Sequence, residues 1–133
     1  WGEGSPPEAV ENLTGERDHS PRKREWTTSF KKYGDGHWGP APTASFADAE
    51  LKHPMGVYDI AGNVSEWTQD CWHHNYIKAP VDGSAWVNPG CNRRVGRGGY
   101  WASGPEQSRA TFRIPVNAAT YGPVVGIRIA RDL

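Results

Sequence analysis

Asp59 and Glu66 lie seven residues apart in the run Gly56-Val57-Tyr58-Asp59-Ile60-Ala61-Gly62-Asn63-Val64-Ser65-Glu66-Trp67. That spacing is too long for one short strand face, so the two carboxylates meet only if the chain bends between them. Ala61-Gly62-Asn63 supplies the bend, because glycine tolerates positive φ and lets a carbonyl approach an ion closely. A hard cation such as calcium takes about six to eight oxygens from carboxylates and carbonyls. The same residues also suit a second arrangement, in which the carboxylates are held by loop N–H groups or by an arginine. Other chemistry is weakly signalled. His73 and His74 are adjacent and would face opposite sides of a strand. His19, His37 and His53 lack ligand spacing. There is no nucleophile elbow, phosphate loop or telling Cys/His pair, and Glu106 and Asp132 are isolated, so no catalytic residue is assigned. Asn12-Leu13-Thr14 and Asn63-Val64-Ser65 fit the glycosylation pattern, but three-residue matches arise readily by chance.

The elements that would position these groups are short. The 133-residue chain has the length of a single domain. With 16 glycines, 11 prolines and a hydrophobic content of 36%, it reads as loop-rich, while seven tryptophans argue against disorder. A net charge of zero provides no footprint for nucleic acid or an anionic membrane. No apolar run approaches the roughly 20 residues of a membrane span. Ser5-Pro6-Pro7-Glu8 predicts a short helix over 6–13, with Ser5 as its N-cap, and residues 16–25 read as an exposed loop. Ala41 to Phe46 reads as extended, and 47–52 as one or two helical turns. Val57–Ile60, Val64–Thr68, Val95–Gly98, Ala110–Ile114 and Gly126–Ala130 are short β-type runs. In the last, Ile127 and Ile129 share a face.

The run around Asp59 is followed by Arg94-Val95-Gly96-Arg97-Gly98-Gly99-Tyr100-Trp101, Arg109-Ala110-Thr111-Phe112-Arg113 and Gly126-Ile127-Arg128. In this order, and from Trp1-Gly2-Glu3 onward, the motifs resemble the formylglycine-generating enzyme (sulfatase-modifying factor) domain. The resemblance covers nearly the whole chain. It implies an irregular α+β fold, a loop-rich variant of the C-type lectin fold with short antiparallel strands. Because the family usually has about a hundred residues before its Trp-Gly-Asp/Glu motif, residues 1–133 are expected to form one such domain lacking its N-terminal part. Ser65 and Tyr100 stand where the family often has tryptophan and serine.

The resemblance implies calcium as cofactor at two places. One set is Asp59 and Glu66 with the carbonyls of Gly62 and Val64. The other is Asn12 and Asp35 with the carbonyls of Leu13 and His37, for which the alternative is an Asx turn at each polar residue. The family's oxidase chemistry uses two cysteines holding copper(I), a soft ion suited to sulfur. They follow the Arg-Gly-Gly motif, and here Tyr100 to Arg113 contains no cysteine. The two cysteines present, Cys71 and Cys91, precede it. The family frame favours a Cys71–Cys91 disulfide and with it an extracytoplasmic, periplasmic or secreted setting; free thiols are the alternative. Arg97, Arg109, Arg113 and Arg128 are read mainly as structural, making bidentate bonds to the protein's own carboxylates and carbonyls, with substrate carboxylate binding as the alternative. The expected function is a non-catalytic, calcium-stabilised module that binds another protein chain or serves as a subunit of a larger complex. Its contact face would include Tyr100, Trp101, Ser103, Gln107, Asn117 and Tyr121, a mixture suited to adaptable recognition. The alternative is an enzyme that oxidises a substrate cysteine to formylglycine with residues not identifiable here.

Overall fold

The computed structural model describes residues 4–22, 24–49 and 56–129. Its regular core is one four-stranded sheet: β1 (Ser65–Cys71), β2 (Arg93–Arg97), β3 (Arg113–Asn117) and β4 (Val125–Gly126), in the order β3-β2-β1-β4. β1 and β2 pair antiparallel through Glu66↔Arg97 and Cys71↔Arg94, with a bulge between Trp67 and Cys71. β2 and β3 pair antiparallel from Arg93↔Asn117 to Arg97↔Arg113. β4 joins β1 in parallel at Ser65↔Val125, a departure from the expected all-antiparallel arrangement. Pro115 sits inside β3, which is tolerated because β3 is an edge strand. At Gly96 a Cβ would lie 2.7 Å from Val116 Cγ2 and 3.0 Å from Ile114 Cγ1, so glycine there lets β3 side chains lie across β2.

Among the described residues the only helical element is a single 3-10 turn, Pro105–Ser108. The helix expected over 6–13 does not form. Val10 to Thr14 is instead buried, irregular chain, tied down by side chains. Val57–Ile60 is not a strand; Asp59 has φ 52° and Asn63 φ 63°, left-handed positions that Asp and Asn tolerate better than most residues. Residues 43–48 form turns, so the extended segment expected over 41–46 is confined to its start. The helical turns placed over 47–52 fall partly, and the end of the Gly126–Ala130 run wholly, outside the described residues. Ile127 and Ile129 are exposed beyond β4.

The irregular part has its own small core of Leu13, Phe30 and Tyr33. Backbone bonds stitch it together without sheets: Phe30 N–H donates to Thr14 O (2.8 Å), Asn63 N–H to Asn12 O (2.8 Å), and Trp101 N–H to Asn63 O (2.8 Å). Residues 61–63 therefore join the chain before and after them.

Candidate functional site

Buried oxygens gather where residues 10–13, 34–41 and 59–63 meet. Asp35 accepts three N–H bonds: Oδ2 from Leu13 N (2.7 Å) and Asn12 Nδ2 (3.0 Å), and Oδ1 from His37 N (2.8 Å). The four residues of the second expected set, Asn12, Leu13, Asp35 and His37, are thus brought together. The Asp35–His37 bond is the Asx turn named as the alternative. Asn63 grips residue 41 at both ends, accepting from Ala41 N (3.0 Å) and donating to Ala41 O (3.2 Å). Glu11 accepts from Ile60 N (3.2 Å) and Ala61 N (2.8 Å), and Asp18 from Asp35 N (3.2 Å) and Gly36 N (2.8 Å). Burial pushes the carboxyls of Glu11, Asp35 and Asp59 above their ordinary values, against the lowering effect of these bonds.

The first expected set is divided. Glu66 is bound by Arg128, whose Nε and Nη2 reach its two oxygens at 2.8 and 2.5 Å. Arg128 Nη2 also donates to the carbonyls of Tyr58 (2.8 Å) and Asp59 (3.4 Å). This is the arginine-held arrangement at Glu66. Asp59 differs. One oxygen accepts a long bond from Asn63 Nδ2 (3.4 Å), while buried Oδ1 has no partner. The carbonyls of Leu13, His37, Gly62 and Val64 also accept no hydrogen bond among the described residues, although Leu13 and Gly62 are buried. Buried oxygens without donors are uncommon in folded proteins, and oxygens in such surroundings suit a hard cation. Among the described residues no group of three or more His, Cys, Asp or Glu side chains is placed to hold a metal ion, carboxylates included. His19 is exposed, His37 and His74 contact aromatic rings, and His53 lies outside the described residues.

Cys71 and Cys91 form a disulfide with Cα atoms 6.0 Å apart, as the family frame suggested. The loop it closes is ordered by side chains. His73 stacks on Trp86 at 3.5 Å; its Nδ1–H donates to Cys71 O (3.0 Å) and its Nε2 accepts from Asn88 Nδ2 (2.8 Å). Asp70 Oδ1 accepts from Trp86 N (2.8 Å), pinning the loop against β1.

The expected contact face is only partly one surface. Ser103 is 1% exposed; its Oγ accepts from Tyr100 N (2.9 Å) and its carbonyl from Thr14 Oγ1 (2.7 Å), so it braces the turn from inside. Gln107 caps the 3-10 turn by accepting from Gly104 N (3.2 Å). Asn117 ends β3 opposite Arg93, away from the Arg97 end that leads to Tyr100. Tyr121 is outward, while Tyr100 and Trp101 are half-buried. Tyr121 is 95% exposed, and Trp101 Nε1 donates to Pro123 O (3.0 Å). Sequence reasoning missed Trp26 and Trp38, which stack at 3.8 Å, with Trp101 edge-on to Trp26 at 5.9 Å. It also missed Glu11 and Asn63 as oxygen partners, whereas Arg128 binds a carboxylate and two carbonyls as its structural reading expected. Arg128 stands in a recognised motif, and that was its available signal.

Residues 10–133 match the family described as "Sulfatase-modifying factor enzyme 1-like domain". The fold is similar to PvdO from Pseudomonas aeruginosa, with a TM-score of 0.64 and 39% identity over 71% of this chain and 36% of that one. Two curated relatives are similar over a shorter stretch. One is the serine/threonine-protein kinase Pkn1 of Chlamydia trachomatis, 35% identical over 59% of this chain and 13% of its own. The other is the chaperone protein LppX of Paenibacillus barcinonensis, 31% identical over 59% of this chain and 24% of its own. The chain spans a small part of each relative's length.

Proposed function

Because the chain belongs to the sulfatase-modifying factor enzyme 1-like family, we propose that it is a non-catalytic, calcium-stabilised member that binds another protein chain outside the cytoplasm. The observation that carries this reading is the disulfide. The two cysteines of the chain are spent on each other, and neither remains as a thiolate for a soft metal. Where the family motif precedes its reactive cysteines, this chain has Ser103, which is buried and hydrogen-bonded.

Calcium would be held by Asn12, Asp35 and the carbonyls of Leu13 and His37, and by Asp59 with the carbonyls of Gly62 and Val64. It would supply charge to Asp59 Oδ1, which lacks a donor, and would add to the N–H bonds that the oxygens of Asp35 and Asn12 already accept. Glu66 joins the Asp59 set only by sharing its carboxylate with Arg128. The surface of exposed Tyr121 and half-buried Tyr100 and Trp101, backed by the Trp26–Trp38 stack, is the favoured contact face, since aromatics give large contact area at low entropic cost. The similarity to a protein named a chaperone supports a protein-contacting role, and the disulfide supports an extracytoplasmic location.

The test is direct. The purified chain, given copper, dioxygen and a cysteine-containing peptide, is followed by peptide mass. No conversion of the cysteine to an aldehyde is expected, and turnover would overturn the non-catalytic reading.

A further inference from the structure

Five arginines occupy the family-like motifs, and the structure separates one from the rest. Arg94 donates to the carbonyl of Gln69 (2.6 Å). Arg97 donates to the carbonyls of Ala110 (2.7 Å), Phe112 (3.1 Å) and Thr111 (3.4 Å), tying β2 to the loop before β3. Arg109 is bound to the carboxylate of Glu106 (3.2 Å) and its carbonyl (3.0 Å). Arg128 is spent on Glu66 and two carbonyls. Arg113 has no oxygen partner among the described residues. Its guanidinium lies over the rings of Trp72 at 4.6 Å and Tyr76 at 4.3 Å. Ring contacts engage the charge and the flat faces of a guanidinium and leave its in-plane N–H fork available. That fork is the geometry that recognises a carboxylate in bidentate fashion.

Arg113 also lines a cleft of about 280 Å³ between the disulfide-closed loop and the sheet. Its walls combine apolar and aromatic groups (Tyr76, Pro80, Trp86, Val95) with the hydroxyls of Thr68 and Ser84. The other charged lining groups are already committed, Arg97 to carbonyls and Asp70 to Trp86 N and Thr68 Oγ1. The size is at the lower end for ligand pockets, about 300 Å³ and upward, so it suits one small group and not an extended chain. We propose that this cleft is a binding site for a carboxylate carried on a small apolar or aromatic body, with Arg113 as the anion-recognising residue and Trp72 and Tyr76 holding its guanidinium in place. The carboxylate could come from a free small acid or from a peptide's C-terminus. This site lies apart from the contact face proposed above and does not depend on it.

The test uses the intact, disulfide-bonded chain and follows tryptophan indole N–H signals by NMR during titration with benzoate, benzamide, the tripeptide Gly-Gly-Phe as free acid, and inorganic phosphate. Benzoate or the tripeptide is expected to shift the Trp72 and Trp86 signals saturably, and the tighter of the two identifies the source. Benzamide and phosphate are expected to bind at least five-fold more weakly. Arg113→Gln should abolish carboxylate binding, and Arg113→Lys should weaken it at least five-fold, because a point charge cannot replace a planar fork. Tyr76 is 65% exposed, so Tyr76→Ala keeps the fold and should weaken binding about three-fold. Equal binding of benzoate and benzamide, no saturable shift with any carboxylate, or unchanged affinity in both Arg113→Lys and Tyr76→Ala would each overturn the proposal.

Discussion

Between residues 10 and 63 the N–H groups of Leu13, His37, Ile60 and Ala61 donate to carboxylates. From Ser65 to Gly126 the chain pairs instead with neighbouring strands and is cross-linked by Cys71–Cys91. Both regions must satisfy buried backbone groups. One does so with ionisable side chains whose burial is costly, the other with ladders and a covalent bond. Condition-dependence of stability should therefore concentrate in the carboxylate-held region, while the sheet region should answer mainly to reduction.

The largest effect that would sharpen this contrast is loss of the disulfide. With a sequence separation of 20, the chain-entropy account predicts that a Cys71→Ser, Cys91→Ser double variant is about 3 kcal/mol less stable. Denaturant unfolding would show this, with the loss independent of calcium. Next is Gly62→Ala. A Cβ there would overlap the Asn12 carbonyl and sit 2.8 Å from Leu13 Cδ2. Thermal unfolding should report a loss of about 2–3 kcal/mol, since the obstruction includes backbone. A neutral Gly62→Ala would mean that the 12–13 and 61–63 segments are not packed as described.

A smaller effect separates the regions by pH. The folded-state values of Glu11, Asp35 and Asp59 are raised, chiefly by burial. Such groups favour the folded state below the ordinary carboxylate range. That stability is lost as pH rises from the ordinary range through the raised values. Exposed Glu16 and Asp82, lowered by hydrogen bonds, act in the opposite direction, losing stability as pH falls. In metal-free protein, Asp59→Asn should flatten the loss on going from pH 4 to pH 7. Calcium, if it takes the place of the proton, should raise the melting temperature more at pH 7 than at pH 4. The smallest effect is at the rim: Tyr121→Ala should change stability by less than about 0.5 kcal/mol, a value readable from denaturant midpoints.

Legibility followed the same division. Three strands of the sheet were visible within a few residues as β-type runs from their β-branched and apolar residues, whereas the run expected from alternation, Gly126–Ala130, is a strand only at Gly126 among the described residues. The disulfide was visible through the family frame. The carboxylate-held region was legible only as motifs. Pro6 and Pro7 suggested a helix that the buried loop 10–14 overrides, and Val57–Ile60 carries strand-forming residues yet bends at Asp59. Its order comes from contacts such as Asn63 with Ala41 and Glu11 with Ala61, which no local pattern encodes. The expected set Asp59–Glu66 illustrates the limit. Spacing allowed either an ion or an arginine, and only the fold shows Arg128 reaching Glu66 across the chain while Asp59 Oδ1 stays without a partner.

The most direct test of the account is thermal unfolding of the oxidised chain at pH 7 with a chelator and then with calcium at about a hundred times its dissociation constant. Binding to the folded state alone predicts about 2.7 kcal/mol of added stability, a rise in melting temperature of several degrees that Asp35→Asn and Asp59→Asn each reduce. A melting temperature indifferent to both chelator and calcium would contradict it, and would leave the buried carboxylates held by N–H groups alone.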